Sequence, residues 1–259
     1  MSVTMKDEFK DRCLQMVNVI KVGILATGIT PDELLAKHGS YGDMFVDLFN
    51  QVTTDFEYQV FDVREGDFPD SANQCDAWVI TGSKFNVYQN APWMLRLKSL
   101  ILEVSASGKP MLGICFGHQI IADAFGGVVD KYPGGWGVGL HEYKLTQGSD
   151  FIQDAPATFA ISAMHQDQVL ELPKNAKVFA ESEFCQYAGL IYDNQIMTLQ
   201  AHPEFNLAYE EELIELRKGN AIPLDVSEVG LEQVRATGAA TDSELIAHWM
   251  VDFLRLRAS

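Results

Sequence analysis

Four cysteines, Cys13, Cys75, Cys115 and Cys185, stand singly along a 259-residue chain. No C-x-x-C occurs, so neither a disulfide framework nor a zinc knuckle is indicated. Positive charge is scarce as well. Nineteen Lys and Arg face 36 Asp and Glu, for a net charge of −17. A field of that sign repels nucleic acid, and no basic cluster offsets it. Long apolar runs are missing too, and none approaches the roughly 18 residues a membrane span needs. The opening "MSVTMKDEFKDRC" alternates charges and lacks the apolar centre of a signal peptide. The expectation is a cytoplasmic protein with neither nucleic-acid nor membrane partners. Nucleotide-binding loops are also absent: there is no G-x-x-x-x-G-K-[ST], and no G-x-G-x-x-G follows a strand. Nothing repeats, and no low-complexity linker divides the chain.

What is present alternates. "VIKVGILATG" reads as a buried parallel strand that stops at Gly28. "DELLAKHGSYGDMFVDLFNQV" has helical spacing with breaks at Gly39 and Gly42. "EYQVFDV" and "DAWVITG" are the second and third strands, and "PWMLRLKSLILEVSASG" is a helix stopped at Gly108. "KPMLGIC" is a fourth strand and "GHQIIADAFGG" the helix after it. Strands alternating with helices predict an α/β fold whose open, mostly parallel sheet is covered on both faces. From Val128 the strands come closer together, through "GVGLHEYKLT", "ATFAIS", "AKVFAES", "QYAGLIYD" and "QIMTLQAHPEF". They predict a smaller antiparallel sheet section. Beyond Asn206 the chain turns acidic and helical. We expect one domain over 1–205 with a helical extension, 206–259, packed on it by one apolar face.

"GICFGHQ" places Gly113, Cys115 and Gly117 between a strand and a helix. A lone cysteine at a strand end is usually buried and inert. The spacing, however, is that of the G-x-S-x-G nucleophile elbow with sulfur for oxygen. Glycines there leave room where side chains would strike the strand and helix. The turn would put Cys115 at a helix N-terminus, which favours thiolate, and at the carboxyl end of the sheet, where open α/β sheets bind ligands. A cysteine nucleophile needs a base oriented by a third group. His38 and His248 fall in helical patterns, and His141 sits in a strand with no evident partner. His118 suits packing at the elbow helix, and His165 lies in a polar loop. His202, in "TLQAHPEF", precedes Pro203 and stands two residues from Glu204. In an extended segment those two side chains project to the same side. Taken alone, H-P-E fits a surface loop equally well.

Together these segments resemble the class I glutamine amidotransferases. "PMLGICFGHQIIADAFGG", "MHQDQV" and "QAHPEF" follow in that family's order, after "WVITGSKFNVYQN", and "GGWGVG" resembles the segment after its elbow helix. The likeness runs from Lys21 to Phe205 and extends to free-standing bacterial members similar to the glutaminase half of GMP synthase. It implies a flavodoxin-like sheet and a Cys-His-Glu triad of Cys115, His202 and Glu204. It also implies an oxyanion hole from the amides of Gly82 and Phe116, and substrate contacts from Gln119, His165 and Ser83. No metal or organic cofactor is implied. Met164 departs from the serine common in the GMP synthase type. With no synthetase domain in the chain, the implied reaction is hydrolysis of glutamine's side-chain amide, with ammonia passing to a separate synthetase. A hydrolase or peptidase acting on other γ-glutamyl compounds, and a non-catalytic binding module, are the alternatives.

Overall fold

The computed structural model describes residues 19–146, 152 and 155–258. The charged opening and Cys13 lie outside the described residues. Among the described residues, eleven strands and seven α-helices run β1 (Ile20–Ala26), α1 (Asp32–His38), α2 (Tyr41–Asn50), β2 (Phe56–Asp62), β3 (Ala77–Ile80), α3 (Pro92–Ala106), β4 (Met111–Ile114) and α4 (Phe116–Ala124). They continue β5 (Val128–Lys131), β6 (Gly137–Leu145), β7 (Thr158–His165), β8 (Asp167–Glu171), β9 (Ala176–Glu181), β10 (Gly189–Tyr192), β11 (Ile196–Leu199), α5 (Leu207–Arg217), α6 (Leu224–Arg235) and α7 (Ser243–Ala258).

Nine strands form one sheet in the order β2-β1-β3-β4-β11-β10-β9-β6-β7. The first five are mutually parallel, and every later pairing is antiparallel. The antiparallel section foreseen from spacing is therefore continuous with the parallel core. A separate two-stranded sheet pairs β5 with β8. Apolar runs make the central strands buried on both faces: β3 and β4 have no exposed residue. One face carries α2 and α7, where Phe45, Phe49, Trp249 and Phe253 pack over Val22, Ile24 and Ile114. The other carries α3 and α4, where Leu97, Ile101 and Ile120 pack over Leu25, Ile80 and Met111.

Two local readings change. Gly39 does end α1, at φ +75°, but Gly42 lies inside α2. That helix begins at Ser40, whose hydroxyl accepts from the Asp43 amide while the Asp43 carboxylate accepts from the Ser40 amide. This reciprocal cap sets the boundary more strongly than one interior glycine disturbs it. "MHQDQV" is not a loop either. His165 closes β7 and Asp167 opens β8, with one residue between.

Of the final helices, α7 packs directly on the sheet, and α5 joins the core separately. It packs Tyr209, Leu213 and Ile214 with Tyr41 of α2, Val138 of β6 and Phe205. Glu210 of this helix is fully buried and accepts from the Gly139 amide at 3.1 Å. Burial pushes its carboxyl up to about 8, so it is chiefly neutral at pH 7. No helix of the described residues is long and apolar enough to cross a membrane.

Register and volume are coupled at the centre of the sheet. Gly23 of β1 pairs with Trp78 of β3, and a Cβ at Gly23 would lie 2.3 Å from the indole. Trp78 is fully buried and donates from Nε1 to the Ala72 carbonyl at 3.0 Å, so the ring cannot swing away. Strand propensity alone favours alanine over glycine by roughly 0.5–1 kcal/mol, but overpacking typically costs about 1–3 kcal/mol. Gly23→Ala is expected to lower the urea midpoint, and to cost less in a Trp78→Phe background. Equal costs in the two backgrounds would refute the coupling.

Candidate active site

The carboxyl ends of the parallel strands converge. Thr27 and Gly28 follow β1, Thr81 to Ser83 follow β3, Cys115 follows β4, and Gln200 to Glu204 follow β11. This is the edge of an open α/β sheet at which ligands bind.

Cys115 has φ +52° and ψ −101°, outside the conformations common for a side-chain-bearing residue. Both flanking glycines are required by contact. A Cβ at Gly113 would lie 2.5 Å from Ile121 and 2.8 Å from the Gly117 backbone, and one at Gly117 would lie 2.4 Å from the Ile80 carbonyl oxygen. The Phe116 amide, in the first turn of α4, has no intrahelical acceptor.

The loop after β3 is fixed to the end of β1. Thr27 donates from its hydroxyl to the Thr81 and Gly82 carbonyls at 2.8 and 3.1 Å, and from its amide to the Thr81 hydroxyl at 3.0 Å. Ser83 lines the cavity, and its hydroxyl donates to the Thr27 carbonyl at 2.6 Å. These bonds bring Gly82 against both His202 and Cys115. A Cβ on Gly82 would lie 2.7 Å from His202 Cε1 and 3.6 Å from Cys115 Cβ.

β11 ends at Leu199, and Pro203 and Glu204 form a turn rather than an extended strand. The turn brings His202 Nδ1 to 2.7 Å from Glu204 Oε1. The His202 amide donates to the Ser162 carbonyl at 2.8 Å, and the Ser162 hydroxyl donates to the Phe205 carbonyl at 3.1 Å. Phe205 stacks on the imidazole at 4.0 Å between centroids and 5° between planes. Burial alone would depress the His202 pKa. The Glu204 carboxylate, then Cys115, and hydrogen bonds to both outweigh it and raise the pKa well above 6.5.

Gln200, which no sequence motif singles out, completes the constellation. It is fully buried, with Nε2 3.7 Å from Cys115 Sγ and Oε1 accepting from Gln119 Nε2 at 3.2 Å. Gln119 Nε2 also donates to the Asp167 carbonyl at 2.8 Å. The alternation that links His202 to Glu204 would equally have linked Gln200 to His202, two residues earlier.

A cavity of about 730 Å³ opens over Cys115, with Gln119, Ser83, Met164 and His165 in its walls. Both ring nitrogens of His165 are buried without a partner. Burial, with the charges of His141 and His202, lowers its pKa to about 3, so it faces the cavity neutral. Asp167 also lines the cavity. Its carboxylate accepts from Asn86 Nδ2 at 2.5 Å and from the Tyr88 hydroxyl at 3.4 Å. His118 lies outside, buried under the elbow with Nδ1 2.8 Å from the Thr198 hydroxyl. His38 pairs with Glu212 at 3.0 Å. Among the described residues, no group of three His, Cys, Asp or Glu side chains is placed to hold a metal ion.

The sequence profile described as "Glutamine amidotransferase class-I" matches residues 41–217. Gamma-glutamyl peptidase 4 of Arabidopsis thaliana is 34% identical over 186 residues, covering 68% of this chain and 73% of that protein. One component of the glutamine-hydrolysing GMP synthase of Archaeoglobus fulgidus is 33% identical over 96 residues, 37% of this chain and 52% of its own length. Among solved structures, a glutamine amidotransferase of Thermotoga maritima superposes with a TM-score of 0.72 at 19% identity, covering 93% of this chain and 99% of that one.

The raised pKa of His202 has a direct readout. Its imidazole is expected to stay protonated through pH 6.5 and to lose its proton only well above that, by NMR of the ring protons. Glu204→Gln removes the largest raising influence, so the transition should move to lower pH. An unshifted transition would refute the coupling.

Proposed function

The chain belongs to the class-I glutamine amidotransferase family, and we propose that it hydrolyses γ-glutamyl amide bonds through a thioester on Cys115. The observation that carries this reading is the meeting of Cys115, His202 and the Gly82 backbone at one point beneath an open cavity. Sulfur attacks the γ-carbonyl carbon, and the carbonyl oxygen takes up negative charge between the amides of Gly82 and Phe116. Losing one such donor typically costs on the order of 10²–10³ in rate. His202 gives its proton to the departing nitrogen as the carbon–nitrogen bond breaks. It then takes a proton from water, whose oxygen attacks the thioester. Glutamate leaves as the carbon–sulfur bond breaks, which restores the Cys115 thiolate beside the His202 imidazolium. Glu204 holds the imidazole and favours its charged form throughout.

Two substrate types meet these requirements. Glutamine would release ammonia to a separate synthetase, and the family match together with the GMP synthase relative favours it. A γ-glutamyl peptide would release an amine, and more observations favour this one. A cavity near 730 Å³ lies within the roughly 300–1,000 Å³ typical of sites for drug-sized ligands, far larger than glutamine needs. Met164 places a thioether in the wall. The peptidase relative matches over 68% of the chain, against 37% for the GMP synthase component. The reading adopted is therefore a γ-glutamyl peptide hydrolase, with glutamine as the competing substrate.

Glutamate release from glutamine and from γ-glutamyl dipeptides tests both readings. The dipeptides are expected to give the higher kcat/KM, and a clear preference for glutamine would reverse the order. Cys115→Ser should lower turnover of either by at least about 10³-fold with the fold intact by circular dichroism. In the wild type, mass spectrometry of the quenched reaction should show one γ-glutamyl group on the peptide containing Cys115. Retained activity in the serine variant would end the nucleophile assignment.

A further inference from the structure

The cavity wall carries a charge pattern that γ-glutamyl chemistry alone does not require. Lys84, Lys131 and Arg217 all line it, against two carboxylates, Asp32 and Asp167. Local charge is therefore positive by one unit in a chain whose net charge is −17. The three cations come from three separate places: the loop after β3, the end of β5 and the end of α5. None of them forms an ion pair with another described residue. In so acidic a protein, three unpaired cations around one cavity are a feature to be explained by what enters it.

The γ-glutamyl group itself is zwitterionic. Its ammonium is matched by one carboxylate, for which Asp167 lines the cavity, and its carboxylate needs one cation. Glutamine brings nothing further. A γ-glutamyl peptide brings a second carboxylate at the end of the leaving group. Its net charge of minus one is the complement of the lining.

We propose that Arg217, with Lys84 and Lys131, forms a subsite for the terminal carboxylate of the leaving group, making the preferred substrates γ-glutamyl peptides with a free C-terminus. This rests on the hydrolase reading above and narrows its substrate class. Arg217 is half-buried at the last turn of α5, the helix held against β6 by Glu210, so its guanidinium is carried on a fixed element. A planar guanidinium can meet a carboxylate with two parallel hydrogen bonds, which an ammonium cannot. Room for the leaving group continues past Trp136 and Ala221 into an adjoining hollow of about 420 Å³ lined without charged residues. The helical extension thereby contributes directly to the site.

A matched pair of substrates isolates the charge. γ-Glutamylglycine and γ-glutamylglycinamide share the scissile bond and the glutamyl group and differ only at the terminal carboxylate. The wild-type chain is expected to favour the acid by tenfold or more in kcat/KM. Arg217→Gln should collapse that ratio towards one, Arg217→Lys should leave it intermediate, and Lys84→Gln and Lys131→Gln should each lower it. Raised salt should lower it as well. A wild-type ratio near one would overturn the proposal. So would an Arg217→Gln enzyme that loses both substrates equally, because Arg217 would then serve the glutamyl group or the fold. If the wild type released glutamate from neither dipeptide but did from glutamine, the peptide-hydrolase reading would fall as well. Release from both at equal rates would remove the subsite alone.

Discussion

The site depends on one close approach of backbone to ring. At Gly82 the chain comes so near the His202 imidazole that a single methyl group would lie 2.7 Å from it. The amide proposed to receive an oxyanion, the imidazole proposed to move protons and the sulfur are thus held around one spot. Gly28 extends the same constraint outward, since a Cβ there would lie 2.4 Å from the Gly82 carbonyl oxygen. The hydroxyls of Thr27 and Ser83 then fasten the loop by hydrogen bonds rather than by bulk. Crowding forbids side chains at these glycines, and buried hydrogen bonds replace the packing they would have supplied.

A charged pair in this setting is costly. His202 and Glu204 are both buried, and an unpaired buried charge would shift its pKa until it became neutral. Contact at 2.7 Å offsets the cost for the imidazole. Phe205 covers one face of the ring, and the main chain at Ser162 holds the turn from the opposite side of the sheet section. β7 therefore does more than complete the sheet, because its interior supplies the anchor for the turn that carries His202.

Much of this was legible in the chain. The strand–glycine–cysteine–glycine–helix order located the elbow, because the reason for glycine there is local and steric. The central strands could be read from apolar runs because they are buried on both faces. Other features were not readable, for equally physical reasons. Gly42 suggested a break, but the Ser40–Asp43 cap decides where α2 begins. The two-residue alternation from His202 to Glu204 selected two side chains that do touch, but by an incorrect route, since the segment is a turn. Ser162 reaches the site through a contact with a residue distant in sequence, and no spacing in one chain encodes that. The relation of the C-terminal helices to the cavity was hidden in the same way, because Arg217 lies in the acidic helical stretch beyond Asn206, where no motif marks it.

Charge distribution joins these observations. For a protein this acidic to take the anionic substrate proposed above, local charge near the ligand must offset its own long-range repulsion. Screening makes that workable: at physiological salt the Debye length is about 8 Å, so distant surface carboxylates contribute little inside the cavity. What matters is the inventory of the walls, and there the sign reverses. The proposed catalytic and recognition groups differ in their response to salt. The buried pair of His202 and Glu204 is sealed from solvent and responds little to salt. The cations at Lys84 and Lys131 are exposed and do respond. In the proposed reaction, chemistry and substrate selection would therefore rest on electrostatics of two kinds, one fixed by burial and the other tuned by the medium.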